Sequence, residues 1–162
     1  MGETTLLNEV FDEIEQKKLH SVESDAIKRA EQCAPLIRSI CASYIRNGLR
    51  TVDKSTYKVH PLYVERLRAI AGDISTEDIP FEELHGRLDE LKEIVPEFEH
   101  EIGMIRNLGD NFTKTLPDPG SAVKLLFRPE CLPSYFMDSL TTRLFYKAGT
   151  DVIERAVKKA LE

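Results

Sequence analysis

The chain has 162 residues, 41% of them hydrophobic and 31% charged, and a formal net charge of −6. That length suits one domain or two small ones and is enough to bury a core. No run of about 18 apolar residues is present, which excludes a membrane-spanning helix, and the acidic balance argues against a surface devoted to nucleic acid.

The opening stretch "MGETTLLNEVFDEIEQ" is acidic and has no apolar core, so it does not read as a secretory signal. Leu6 stands where a myristoylation motif wants Ser or Thr. The spacing of Leu6, Leu7, Val10, Phe11 and Ile14 predicts a first helix over residues 4–18, after which Ser21 or Ser24 is placed to cap a second. The second helical stretch is the strongest in the chain. Ile37, Ile40, Cys41, Tyr44, Ile45, Leu49 and Val52 form one apolar stripe, and Arg38, Arg46, Arg50 and Lys54, at multiples of four, share another face. Pro35 either kinks this helix or stands in the first turn of a new one; the apolar pattern resumes in phase after it, which favours the kink.

"STYKVHP" breaks the pattern, and Pro61 opens a third helix with Leu62, Leu67, Ile70 and Ala71 inward and Gly72 at its end. Pro80 opens a fourth. Its apolar residues Phe81, Leu84, Leu88, Leu91, Val95, Phe98, Ile102 and Ile105 alternate spacings of three and four, the pattern of a narrow packed seam, and Pro96 predicts a kink or split near Val95. Residues 107–121, with Gly109, Pro117, Pro119 and Gly120 among polar neighbours, read as a linker between a helical domain, 1–106, and a small C-terminal module, 122–162. In that module "AVKLLF", "SYF", "TRLFY" and "DVI" read as short strands, "KAGT" as a turn, and "ERAVKKALE" as a terminal helix. The expected fold is therefore mainly α: a bundle of about four helices followed by a β-rich module.

Charge is unevenly spread. Residues 28–58 carry Lys28, Arg29, Arg38, Arg46, Arg50, Lys54 and Lys58 against Glu31 and Asp53, whereas residues 73–101 are strongly acidic, with only Arg87 and Lys92 in opposition. Such separation steers partners or pairs internally, so the Arg38/Arg46/Arg50/Lys54 face reads either as a partner contact or as an ion-pairing face. Nothing reads as catalytic. His20, His60, His85 and His100 have no metal-ligand spacing, and Cys33, Cys41 and Cys131 read as reduced, buried thiols with no cofactor to hold. Glu82–Glu83 and Asp89–Glu90 fall on a solvated face, and Ser39 and Ser43 lack a nucleophile motif. Tyr135, Phe136, Phe145 and Tyr146 read as packing of the small module.

Two stretches resemble a GINS subunit of the archaeal and eukaryotic replication fork, of the type whose helical domain comes first. In "APLIRSICASYIRNGLRTVDKS" the residues Tyr44, Ile45, Arg46, Leu49, Val52 and Asp53 match the long central helix, although Gly48 replaces a basic residue. In "TTRLFYKAGTDVIERAVKKALE" the residues Tyr146, Lys147, Gly149, Asp151, Val152 and Ile153 match the small second domain, although Thr150 interrupts its Gly-Asp pair. The resemblance implies a non-catalytic, cytoplasmic or nuclear subunit in a homo- or hetero-oligomer. Its partners would be other GINS-like subunits, the replicative helicase and a RecJ-like protein, through Arg38, Arg46, Arg50, Lys54, Tyr146 and Lys147, with direct DNA contact left open. The stripe over 37–52 would form both core and inter-subunit contact. The alternative is a helical adaptor, or a phage or viral structural protein, acting through oligomerisation.

Overall fold

A computed structural model describes residues 22–73 and 75–161. The helix expected over 4–18 and the cap at Ser21 lie outside the described residues. Nine α-helices follow in order among them: α1 Val22–Gln32, α2 Ala34–Thr51, α3 Pro61–Ala71, α4 Leu84–Ile94, α5 Glu99–Asp110, α6 Phe112–Thr115, α7 Pro119–Leu126, α8 Leu132–Asp138 and α9 Leu140–Leu161. No strand occurs among the described residues.

Prolines divide the bundle where their missing N–H groups cost least. Pro35 stands in the first turn of α2, two residues beyond a turn at Cys33, so the stretch is two helices rather than one kinked helix. The hydrogen bonds Cys33 N to Arg29 O and Ile37 N to Cys33 O carry the register across the joint, which is why the apolar pattern stays in phase. Pro96 splits the long seam. Val95 leaves helical geometry (φ −131°, ψ 76°), Pro96–Phe98 form a 3₁₀ turn, and α5 resumes at Glu99. Pro61 opens α3, where the His60 ring Nδ1 accepts from Leu62 N at 3.2 Å.

The seam and the α2 stripe bury each other. Leu84, Leu88, Leu91, Val95 and Ile102 form one core cluster with Ile40 and Tyr44, flanked by Ile37, Phe98 and Ile105. The 37–52 stripe is thus largely consumed inside the chain's own core. On α3, Val64 and Leu67 point inward, while Leu62 and Ile70 are exposed, contrary to expectation. Two glycines let α2 approach the α5–α6 corner. A Cβ at Gly48 would lie within 3.0 Å of the Phe112 ring, and one at Gly109 would lie 2.5 Å from Tyr44 ring carbons. Each helix thus lays an aromatic ring on the other's glycine.

The expected β-rich module is overturned. Residues 119–161 form α7, α8 and α9. Pro119 is a first-turn proline, and the Asp118 carboxylate caps α7 by accepting from Gly120 N at 3.1 Å. Gly149, read as a turn, has no positive φ and lies inside α9. The segment 107–121 spans the end of α5, all of α6 and the start of α7; within it Leu116 is fully buried, and its carbonyl accepts from Lys58 N at 2.9 Å.

Candidate interaction surface

Helix α9 is fixed at one end, and one side of its further length is largely exposed. Ser139 is its cap, the hydroxyl accepting from Thr142 N at 3.1 Å and donating to Thr142 Oγ1 at 2.8 Å. Glu101 reaches from α5 to the same end. Its Oε1 accepts from Thr141 N at 2.9 Å and Thr141 Oγ1 at 2.8 Å, so a buried carboxylate lies at the positive end of the α9 dipole. Leu140 and Thr142 are buried with it. Beyond this first turn the helix sheds its cover. Phe145 is 76% exposed, Tyr146 60%, Ile153 66% and Val157 52%. At 3.6 residues per turn these residues fall on one side of the helix with Gly149, Val152 and Ala156, while Arg143, Asp151, Glu154 and Lys158 lie off it. The result is an amphipathic helix whose apolar face leaves Phe145, Tyr146, Ile153 and Val157 mostly exposed, with Val152 and Ala156 partly buried beside them. Phe127, Phe136 and Met137 of the neighbouring segments are exposed as well. Of the aromatics expected in a C-terminal core, Tyr135 is half-buried and the other three face solvent.

A second apolar feature is a cleft of about 340 Å³ between α2, α3, α5 and α7, lined by Tyr44, Ile45, Tyr63, Leu67, Ile105 and Leu126 among others. At its edge burial pushes the Cys41 thiol up. Burial, with Asp110 beside it, pushes the Tyr44 phenol above its usual range. The Tyr44 hydroxyl donates to Asp110 Oδ1 at 3.1 Å, and the same oxygen lies 2.8 Å from His85 Nε2.

The residues singled out from sequence separate into two groups. Arg46 is nearly buried and works within the chain. Its guanidinium donates to Ala71 O at 2.7 Å, to Glu77 O at 2.9 Å and to the Thr76 hydroxyl, clamping the segment 71–78 onto α2. Arg50 donates to Asp78 Oδ2 at 3.0 Å from an exposed position. The Arg50 hydrogen bond comes first, and the Arg46 charge adds to it, in holding the Asp78 carboxyl below the usual range. Arg38 and Lys54 are exposed, Lys54 in a 3₁₀ turn after α2. Tyr146 and Lys147 are exposed on α9, a different element, with Tyr146 on the apolar face and Lys147 away from it. Ser39 and Ser43, set aside as nucleophiles, complete the clamp: their hydroxyls accept from Glu77 N at 3.0 Å and Ile79 N at 2.9 Å. Sequence reasoning missed this role, whose only trace was the i, i+4 spacing of two serines on the face next to the arginines.

Among the described residues no group of three or more His, Cys, Asp or Glu is placed to hold a metal ion, and no helix is long and apolar enough to cross a membrane. Cys33, Cys41 and Cys131 are free thiols; Cys33 and Cys131 are buried and Cys41 partly so. Compared with protein families, curated proteins and solved structures, the chain matches none.

Proposed function

We propose that this chain is a non-catalytic helical subunit that works by assembly through the apolar face of α9. The observation that carries the reading is the combination of a capped, anchored first turn with Phe145, Tyr146, Ile153 and Val157 left mostly exposed beyond it. Exposed apolar surface of this kind marks contact sites in proteins. The titrating groups point away from catalysis. The Cys41 and Cys131 thiols are pushed up by burial, and Asp78, Glu97 and Glu99 are held low by their cationic partners and by backbone donors. Nucleophiles and general acids need the opposite shifts.

Within this reading the replication-fork setting supplies the named partners: GINS-like subunits, the replicative helicase and a RecJ-like protein. The helical half of that likeness falls on α2, a long helix, whereas the residues matched to the small second domain form the helix α9. The test is affinity capture from nuclease-treated host lysate, with the intact chain and with a Phe145→Glu, Ile153→Glu variant of unchanged circular dichroism. Helicase or RecJ-like protein retained by the former and lost from the latter supports the reading. Equal capture by both removes α9 from the account.

A further inference from the structure

We infer that the cover of the α9 face is a second copy of this chain, crossing antiparallel at Gly149. This rests on the assembly reading and names the occupant of the same surface.

Three observations carry it. The stripe formed by Phe145, Tyr146, Gly149, Val152, Ile153 and Val157 contains no charged residue, so its partner must offer an uncharged apolar face of comparable length. The α9 face of another copy is such a surface. The part of the stripe from Phe145 to Ile153 also maps onto itself when reversed about Gly149: Phe145 of one copy then meets Ile153 of the other, Tyr146 meets Val152, and the two glycines meet at the centre, with Val157 falling opposite Thr141. This is the self-complementarity that a two-fold contact demands.

Gly149 itself needs a reason. A glycine inside an exposed helix lowers helix stability relative to alanine, and within the chain nothing lies within 4 Å of where its Cβ would be. Gly48 and Gly109 each receive a ring from a neighbouring helix, whereas Gly149, like Gly86 and Gly103, faces open space, and of these three it is the one flanked on its own face by the exposed Phe145, Tyr146 and Ile153. A second helix crossing there turns that space into a close approach.

The area is at the lower limit. At 1.5 Å per residue α9 is about 33 Å long. Phe145 and Tyr146, 76% and 60% exposed, retain most of the roughly 150–250 Å² that such side chains bury, and with Ile153 and Val157 the pair of copies covers at most on the order of 1,000 Å², the size a specific interface has to clear.

The experiment is sedimentation of the full chain across a range of concentrations, with two variants. The intact chain is expected to be a dimer at tens of micromolar, and Phe145→Glu with Ile153→Glu a monomer. Gly149→Leu is the discriminating change. It adds apolar surface and helix propensity, and its Cβ meets nothing within 4 Å, yet its side chain blocks the crossing, so dimer affinity should fall at least tenfold with helix content kept or raised. Mixing separately tagged Phe145→Cys and Ile153→Cys chains under oxidation should join the two tags, with neither variant cross-linking to itself through its new cysteine.

A monomeric intact chain overturns the proposal, as does a dimer unchanged or strengthened by Gly149→Leu, or self-cross-linking through the new cysteine of either variant alone. A monomer whose lysate partners are still lost from the Phe145→Glu, Ile153→Glu variant would sink the second copy and leave the assembly reading standing. A dimer whose variants capture partners unchanged would keep the second copy on α9 and remove the helicase and the RecJ-like protein from that face.

Discussion

Glycine in a helix normally costs stability, and the glycines of this chain divide by what their missing side chains admit. At Gly48 and Gly109 an added methyl would collide with the Phe112 and Tyr44 rings, while at Gly86 and Gly103, inside α4 and α5, nothing lies within 4 Å. Gly48→Ala and Gly109→Ala should therefore each lose about 1–3 kcal/mol to overpacking, and Gly86→Ala and Gly103→Ala should each gain about 0.4–1 kcal/mol. Urea unfolding of the four variants measures this, and equal effects at all four would show that the ring contacts are absent. A similar contrast separates two arginines that look alike in sequence. The Arg46 side chain is 12% exposed and donates to several acceptors in 71–78, whereas that of Arg50 is 68% exposed with one carboxylate. Arg46→Ala should cost roughly 2–3 kcal/mol and Arg50→Ala no more than about 1 kcal/mol. The sequence placed both on one face by their spacing of four. It did not show that the segment from Ala71 to Ile79 folds back over only part of that face, because much of the fold-back is made by backbone groups, the Ala71 and Glu77 carbonyls and the Glu77 and Ile79 N–H groups, which no side-chain pattern reports.

At the scale of elements, breaks were more legible than element types. Pro61, Pro80 and Pro96 mark real starts and interruptions, and the alternating seam of Leu84, Leu88, Leu91, Val95 and Ile102 is the core that its spacing implied. The C-terminal third was misread for a physical reason. "TRLFY" and "DVI" are aromatic and β-branched, and Gly149 between them resembles a turn, but these preferences are weak against context. What decides the element is the cap at Ser139, the Glu101 carboxylate at the positive end, and helix-forming Lys, Ala and Glu along residues 154–161. The carboxylate comes from a residue 40 positions away and cannot be read locally. Ser139→Ala should remove about 1 kcal/mol through the lost cap and speed amide exchange in residues 140–144 before the rest of the bundle. Exchange that stays uniform along α9 would mean that the cap does not hold it.

For the whole molecule, the division between a basic 28–58 and an acidic 73–101 resolves in part into internal pairing. Arg29 binds Glu97 at 2.8 Å, and Arg46 and Arg50 bind Asp78, tying α1 and α2 to the acidic half. Half of the face of four aligned cations, Arg46 and Arg50, is thereby engaged within the chain, and the pairing sets how the fold responds to acid. Hydrogen bonds from Arg50 and the Arg46 charge hold the Asp78 carboxyl low; the backbone and then Arg29 do so for Glu97; Ser75 does so for Asp73. A carboxyl whose folded value is depressed contributes stability that is full above its unfolded value and is lost as pH falls through the folded one. The melting temperature should therefore stay level from neutral pH down to about pH 4.5 and fall below about pH 4. Replacing one contributor separates this from general acid unfolding. Asp78→Asn should melt lower than the intact chain at pH 7, where the charged partner is missed, and the gap should narrow as pH drops, because the intact chain then loses the same charge. A gap that stays constant down to pH 3 would show that Asp78 stabilises the fold by something other than its charge on Arg46 and Arg50.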